Sequence, residues 1–241
     1  MEKYKRVILK LSGEALSDKE NKKIFKPETL TSIAHILKEY QKLDIQVGIV
    51  VGAGNIWRGK LASQMGLDPE DADYMGMVAT VINAMAIKSV LELNGLKAKI
   101  LSALAVEDVA EKHDKELAKK LLNEGYILIF AAGTGKPHFT TDTCAALRAV
   151  DIDADAIFMG KEGVEGVYTS NPLVDKDAKL IHTASYCEMI ALDVQALDLS
   201  ALEVLKDTNI TLRVFQMNNL ENFLKVLKDG KIGTVVRKDK Q

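Results

Sequence analysis

The stretch GTGKPHFTTDT at 133–143 carries more polar side chains than a simple connection between a strand and a helix requires. It follows an apolar run typical of a buried strand and leads into a helical pattern at 140–150. One hydroxyl, from Thr140 or Thr141, is enough to cap that helix, and Asp142 is favourable in its first turn.

Thr134, Gly135 and Lys136 have no part in such a cap, and we interpret them as ligand-binding residues. A glycine turn followed by hydroxyls at a helix N-terminus presents several N–H and O–H donors to one point in space. Such a set of donors suits a phosphate group.

A second candidate is Lys10, which lies within the apolar run RVILKL at 6–11, just ahead of Ser12 and Gly13. A lysine beside a glycine turn can hold phosphate as a point charge, with backbone N–H groups adding donors. The alternative is an edge lysine that extends its ammonium group out of the sheet into solvent.

The turn Gly52-Ala53-Gly54 ends another apolar run and is followed by Arg58, which could bind a phosphate through two parallel hydrogen bonds. It is neither the full dinucleotide motif GxGxxG nor a Walker A sequence, and a tight turn with a surface arginine would look the same. Asp198 precedes a helical pattern, where an aspartate alone is most often a cap.

Seven short apolar or β-branched runs predict strands that lie in the core and could position these loops. They lie at 6–11, 46–51, 97–101, 126–132, 155–160, 210–215 and 233–237. Helical patterns alternate with them at 27–43, 71–94, 114–125 and 140–150. This alternation predicts an α/β fold, a three-layer α/β/α sandwich with a mainly parallel sheet.

Two segments stand apart from that alternation. The helical pattern at 71–94 is rich in methionine and apolar around most of its circumference, which predicts either core packing or a subunit contact. The segment 164–181 contains Gly166 and Asn171-Pro172 between short strand-like pieces, and we expect a hairpin or an extended flap there.

Composition excludes several classes of protein. A net charge of −2 argues against a general nucleic-acid binder. No apolar run approaches the ~20 residues that span a bilayer, and the N-terminal stretch turns polar too soon for a signal peptide. The cysteines, Cys144 and Cys187, have neither disulfide-framework nor metal-ligand spacing. These features predict a cytoplasmic protein with no nucleic-acid or membrane partner.

Several stretches together resemble the amino acid kinase family, most closely its bacterial UMP kinase branch. They are KRVILKLSGEAL, VGIVVGAGNIWRG, ADYMGMVATVINAMAI, AAGTGKPHFTTDTCAALRA, GVEGVYTSNP, LDLSAL and RVFQMNN, in the family's order. The resemblance implies one amino acid kinase domain over 1–241 with a sheet of about eight strands. It also implies transfer of the γ-phosphoryl group of ATP to UMP with Mg²⁺, in pyrimidine nucleotide synthesis, by a homohexamer built from dimers.

The resemblance also assigns roles to individual residues. The catalytic set would be Lys10, Arg58, Asp142 and Asp198. ATP would contact Lys10, Leu11, Ser12, Gly13, Gly54, Arg58, Lys161, Glu162, Tyr168 and Asn171. UMP would contact Ala53, Gly54, Asp73, Thr134, Gly135, Lys136, Pro137, His138, Phe139, Thr140 and Thr141, with Asp73 at the ribose hydroxyls. Magnesium would be held mainly by nucleotide phosphates rather than directly by the protein.

Several departures from the family pattern bear on nucleotide binding. Ala53 stands for a glycine, and Lys136 and His138 stand where asparagine and an aromatic residue are more usual. Glu162-Gly163 replaces the common Asn-Asn or Thr-Lys, and Asn171 replaces an aspartate. Two alternative functions remain at this stage. One is a kinase of the same fold that acts on a carboxylate such as acetylglutamate or aspartate, or on carbamate. The other is a non-catalytic nucleotide sensor or oxyanion-storage protein.

Overall fold

The computed structural model describes residues 4–192, 197–228 and 232–239. Its sheet contains nine strands in the order β4-β3-β5-β2-β1-β6-β8-β9-β7. The strands are β1 Arg6–Leu11, β2 Gln46–Val51, β3 Ala98–Ser102, β4 Glu111–Lys112, β5 Ile127–Ala131, β6 Ala156–Lys161, β7 Thr183–Ser185, β8 Thr211–Gln216 and β9 Thr234–Arg237. All neighbouring pairs are parallel except β8 and β9.

Helices connect the strands. They are α1 Pro27–Lys42, α2 Gly59–Gln64, α3 Pro69–Leu93, α4 Lys115–Asn123, α5 Thr141–Asp151, α6 Tyr186–Ala191, α7 Leu199–Leu205 and α8 Asn222–Lys228. A short 3-10 turn at Gly13–Leu16 follows β1. The four helices that periodicity predicts are α1, α3, α4 and α5.

The sheet is buried on both faces, as its apolar strands predict. In β1, Val7, Leu9 and Leu11 point to one core, which includes side chains from α1, α3 and α8. Ile8 points to the opposite core, formed with α4, α5, α6 and α7. The result is the expected three-layer α/β/α sandwich.

The sheet has one more strand than the expected number of about eight, and sequence patterns missed β4 and β7. Each has only two or three residues, and both residues of β4 are exposed, so neither strand carries an apolar run that could be recognised. The segment 164–181 does fold back on itself: Tyr168 bridges to Leu180 in antiparallel fashion.

The parallel arrangement brings the carboxyl ends of β1, β2, β5 and β6 to the same edge of the sheet. Polar residues follow each of these ends, and in an open α/β sheet ligands bind at this edge. The candidate site is built there.

Helix α3 is long and apolar enough, by length and composition alone, to cross a bilayer. This differs from the expectation that no apolar run approaches such a length. In the structure, α3 packs against β3, β5 and α1, although less than half of its most apolar window is buried. Such packing is typical of a core helix with one additional apolar face.

Candidate active site

A buried carboxylate, Asp142, joins two lysines at the carboxyl edge of the sheet. Its Oδ1 lies 2.8 Å from Nζ of Lys10, and its Oδ2 lies 2.6 Å from Nζ of Lys161. Lys10 belongs to β1, a central strand between β2 and β6, and is 8% exposed. The alternative of an edge lysine extending into solvent is therefore wrong.

Charge and burial oppose each other in this cluster. Burial would raise the pKa of Asp142, but the adjacent Lys10 and Lys161 ammonium groups outweigh it and hold that pKa below its ordinary value. Burial lowers the pKa of Lys161; Asp142 opposes that shift and Lys10 adds to it. Two ammonium groups share this one carboxylate in direct contact, and Asp198 also raises the pKa of Lys161 as a second, more distant negative charge.

Asp198 lies at the N-terminus of α7 and contacts the N-terminus of α5. It caps α7, where its Oδ1 accepts a 3.0 Å hydrogen bond from the Ser200 N–H. Its Oδ2 accepts hydrogen bonds from the hydroxyls of Thr140 and Thr143. The carboxylate is thus both the helix cap that its position predicts and a link that fixes the start of α5.

The first turn of α5 follows the prediction in detail. Thr140 is the N-cap and accepts a 3.2 Å hydrogen bond from the Thr143 N–H. Asp142 lies in the first turn, close to the positive end of the helix dipole.

Two glycine loops touch at the same edge. A Cβ atom at Gly13 would lie 2.4 Å from the Gly52 carbonyl oxygen, so only glycine allows this approach. That carbonyl also accepts a 2.7 Å hydrogen bond from Nδ2 of the fully buried Asn83, which exchanges hydrogen bonds with Asn55. The loops after β1 and β2 are therefore held together by backbone contact and by an amide pair.

Arg58 lies at the mouth of the site rather than in the lysine cluster. Its guanidinium is largely exposed; Nε donates to the Gly54 carbonyl at 3.2 Å and Nη2 pairs with Glu14 at 3.0 Å. Lys19 pairs with both Glu14 and Glu162. Arg58 is thus placed beside Gly54, as expected, with a carboxylate as its present partner.

A cavity of about 310 Å³ lies beside the cluster, between the glycine loop, α3 and the turn after β5. This volume falls within the usual range for small-molecule sites. Among the residues predicted to bind UMP, those that line it are Ala53, Gly54, Asp73, Thr134, Lys136, Phe139, Thr140 and Thr141.

The other three residues predicted to contact UMP do not line this cavity. Gly135 packs towards Ala103, with φ +77°. His138 has φ +67°, and its backbone N–H donates to Asp73 Oδ2 at 2.7 Å. Pro137 lies between them in the chain.

The remaining predicted ATP residues fall into two groups. The Leu11 side chain is buried in the core, so only its backbone faces the loop edge, and its carbonyl accepts a hydrogen bond from the Gly52 N–H. The Ser12 N–H points to the sulfur of Met217 at 3.4 Å. Tyr168 and Asn171 lie on the hairpin after β6, and their contact with adenine stays a prediction.

Sequence reasoning missed several residues of the site. Asn83 and Thr80 are buried on α3, and Arg148 is buried on α5. A polar residue inside an otherwise apolar helical stripe is the signal that could have revealed Asn83. Trp57, which stands where a dinucleotide motif has glycine, lines the cavity and donates to the Ala72 carbonyl at 2.9 Å.

The arrangement can neutralise and orient phosphate groups. Two lysine ammonium groups lie next to close-packed glycine loops, and a cavity with hydroxyl and carboxylate groups adjoins them. Within the described residues, His, Cys, Asp and Glu form no group of three or more that could hold a metal ion.

Comparison with known proteins agrees with this chemistry. The profile of the amino acid kinase family matches residues 5–216. The chain therefore belongs to the amino acid kinase family.

Among solved structures, the chain is similar to UMP kinases and a uridylate kinase. The UMP kinase of Bacillus anthracis has a TM-score of 0.93 and 34% identity, over 99% of this chain and 98% of that one. The UMP kinase of Ureaplasma parvum has a TM-score of 0.91 and 33% identity, over 99% and 100%. The uridylate kinase of Archaeoglobus fulgidus gives 0.73 and 28%, over 95% and 99%.

Proposed function

We propose that this protein is a UMP kinase, which transfers the γ-phosphoryl group of ATP to UMP and forms UDP and ADP. The observation that carries the proposal is the contact of Lys10 and Lys161 with one buried carboxylate, beside a cavity lined by Asp73 and threonine hydroxyls. Full-length similarity to UMP kinases at 33% and 34% identity supports UMP as the acceptor.

The chemistry requires little of the protein beyond position and charge. The attacking atom is a phosphate oxygen of UMP, which is already anionic, so no strong general base is needed. Lys10 and Lys161 neutralise charge on the transferring group, and Asp142 keeps both ammonium groups in place. Asp198 fixes the helix start from which Asp142 projects. Arg58 exchanges Glu14 for a nucleotide phosphate when one binds.

Magnesium would neutralise charge on the ATP phosphates. Both oxygens of Asp142 contact lysines, and both oxygens of Asp198 accept hydrogen bonds. These carboxylates therefore do not fit the role of direct metal ligands, and the phosphates of ATP are the ligands that remain for the ion.

Selectivity for the acceptor follows from the cavity wall. We assign the ribose hydroxyls to Asp73, because a carboxylate accepts hydrogen bonds from both of them. We assign hydrogen bonding to the edge of the uracil base to the turn and threonines at 134–141. A site that hydrogen-bonds one pyrimidine edge leaves polar groups unpaired with the other, at a cost of roughly 2–5 kcal/mol in total. CMP is therefore a much poorer acceptor.

The assembly is a homohexamer built from dimers, acting in pyrimidine nucleotide synthesis in the cytoplasm with no nucleic-acid or membrane partner. Support for self-association comes from α3. Its Met75, Val78, Ile82 and Met85 are each more than 40% exposed. Their spacing of three, four and three residues places them on one helix face, and a continuous apolar face of this kind is typical of a protein contact.

The test is a coupled assay of ADP release with a panel of acceptors. The panel holds UMP, CMP, AMP, acetylglutamate, aspartate and carbamate, each at matched concentration. We expect UMP to be used with a kcat/KM at least about 30-fold above that for CMP. A preference for one of the acids would indicate a different kinase of this fold. No ADP release with any acceptor would support a non-catalytic sensor or storage protein.

A further inference from the structure

The turn after β5 has an unusual backbone that is held at two points. Ala132, Gly133 and Gly135 all have positive φ, at +60°, +54° and +77°. The Ala132 N–H donates a 2.7 Å hydrogen bond to Oγ1 of Thr80 on α3. The Gly133 carbonyl accepts a 3.2 Å hydrogen bond from Nη2 of Arg148 on α5. Left-handed backbone at a non-glycine residue persists only where its surroundings enforce it.

Fixing the Gly133 carbonyl also fixes the next donor. In a trans peptide the C=O of one residue and the N–H of the next point in opposite directions, and the described residues contain no cis peptide bond. The carbonyl of Gly133 is held by α5, while Gly133 and Thr134 both line the cavity. The described residues supply no acceptor for the Thr134 N–H.

Hydrogen bonds and a contact with an aromatic ring hold the Arg148 side chain in one position. It is 8% exposed, and its Nη1 donates to Asp151 at 2.8 Å. The same Asp151 oxygen lies 2.9 Å from Nε2 of His113. The guanidinium lies 6.0 Å from the ring centre of Phe130, whose side chain forms part of the cavity wall. A buried guanidinium is tolerated where its charge is paired and its N–H groups find acceptors, and Asp151 and the Gly133 carbonyl are two such acceptors here.

We infer that Arg148 is a positioning residue for the acceptor nucleotide: by holding the Gly133 carbonyl, it directs the Thr134 N–H into the cavity, where this N–H donates to an oxygen of bound UMP. The inference deepens the proposed function and rests on it. The residue acts through the turn and does not touch the nucleotide.

The experiment compares Arg148→Met with Arg213→Met in the full-length protein. Arg213 is a matched control, because it is also buried, at 2% exposed, and donates to a backbone carbonyl, that of Ile232, remote from the cavity. The readouts are KM for UMP, KM for ATP, kcat, and UMP affinity by titration calorimetry without ATP. Thermal unfolding is measured beside them.

We expect Arg148→Met to raise KM and Kd for UMP about tenfold, the scale of one lost hydrogen bond to a charged or polar ligand atom. KM for ATP should change less than about twofold on the same scale. Arg213→Met should lower the melting temperature and leave KM for UMP unchanged.

Unchanged UMP affinity in folded Arg148→Met, or an equal loss in Arg213→Met, would overturn the inference. If Arg148→Met does not fold, Arg148→Lys is the variant that tests the inference. Its ammonium group keeps the positive charge but cannot reach Asp151 and the Gly133 carbonyl together. Weaker UMP binding with ATP unaffected would support the role, and wild-type KM for UMP would reject it. A wild-type protein that makes no UDP would instead overturn the proposed function, and this inference with it.

Discussion

Lys10 and Lys161 lie at the carboxyl ends of adjacent parallel strands, and their ammonium groups contact opposite oxygens of one carboxylate, at 2.8 and 2.6 Å. The register pairs Lys10 with Met159, so Lys161 lies two residues further along its strand. Because the two side chains contact a single carboxylate, Asp142 alone cannot neutralise both, and Asp198 acts on Lys161 from further away. Both ammonium groups lie where the loops of the site converge.

Replacing Lys10 with alanine removes one of these charges. If it stabilises charge that develops on the transferring group, the loss affects the transition state more than the ground state. We expect kcat to fall by about 100-fold or more, on the scale of one charge-stabilising donor. Steady-state kinetics beside thermal unfolding is the measurement. A near-normal kcat in a folded variant would remove Lys10 from the mechanism and revive the non-catalytic alternative.

The ion pairs of Asp142 predict a pH dependence of stability. The pKa of Asp142 is lower in the folded protein than its ordinary 3.8, because the lysines outweigh burial. Its contribution is therefore fully present above about pH 4 and is lost as the pH falls through the folded pKa. We expect the wild type to be more stable than Asp142→Asn at pH 7, and this difference to shrink below pH 4. Melting curves of both proteins from pH 7 to 3 test this. A difference that does not depend on pH would contradict it.

Asp73→Asn tests the assignment of the ribose contact. An amide accepts hydrogen bonds less well than a carboxylate, so we expect KM for UMP to rise about tenfold with little change in KM for ATP. The Asn side chain keeps an oxygen for the His138 N–H, which preserves the turn. If KM for ATP rises while KM for UMP stays constant, Asp73 belongs to another part of the reaction.

Gly13→Ala tests the close approach of the two glycine loops. Its new Cβ would lie 2.4 Å from the Gly52 carbonyl oxygen, so we expect a loss of about 1–3 kcal/mol in the free energy of unfolding and lower activity. Gly59→Ala is the control, because apart from its chain neighbours and the backbone of its own helix no atom lies within 4 Å of a Cβ there. It should leave stability unchanged or raise it by up to about 1 kcal/mol. Equal stability of the two variants, by chemical denaturation, would show that the loops are not tightly packed.

Ile82→Lys tests the exposed face of α3 as a subunit contact. A buried lysine in an apolar contact is costly, so the variant should dissociate into smaller species at micromolar concentration. Light scattering after size-exclusion chromatography measures the mass. Leu43→Lys, at another exposed apolar residue, should keep the wild-type mass. A monomeric wild type, or an Ile82→Lys variant of unchanged mass, would rule out this face.

Much of the architecture could be predicted from local sequence patterns. Continuous apolar runs predicted the parallel core strands, and Thr140 and Asp142 behave at the start of α5 as capping rules require. Those features depend on a few neighbouring residues. Strands β4 and β7 were not predictable, because they form only where the chain happens to meet an existing sheet edge.

Site residues that lie in motifs could be predicted from the sequence. Residues whose contacts link elements far apart in the chain could not. Lys10 and Asp142 were predicted as site residues from their motifs, but their shared contact with Lys161 depends on the pairing of β1 with β6. Asn83 and Arg148 lie within helices and reach loops far away in sequence, so no local spacing reveals their partners. Such contacts are set by the packing of the layers.

Trp57 has a practical consequence for following the reaction. It is the chain's single tryptophan, and its indole lies on the cavity wall while its N–H holds the first turn of α3. Indole emission responds to local polarity and to stacking with a base. We therefore expect the intrinsic fluorescence of the unmodified protein to report occupancy of this cavity from one position, with no other indole contributing. Nucleotide binding can be timed in a stopped-flow instrument without attaching a dye.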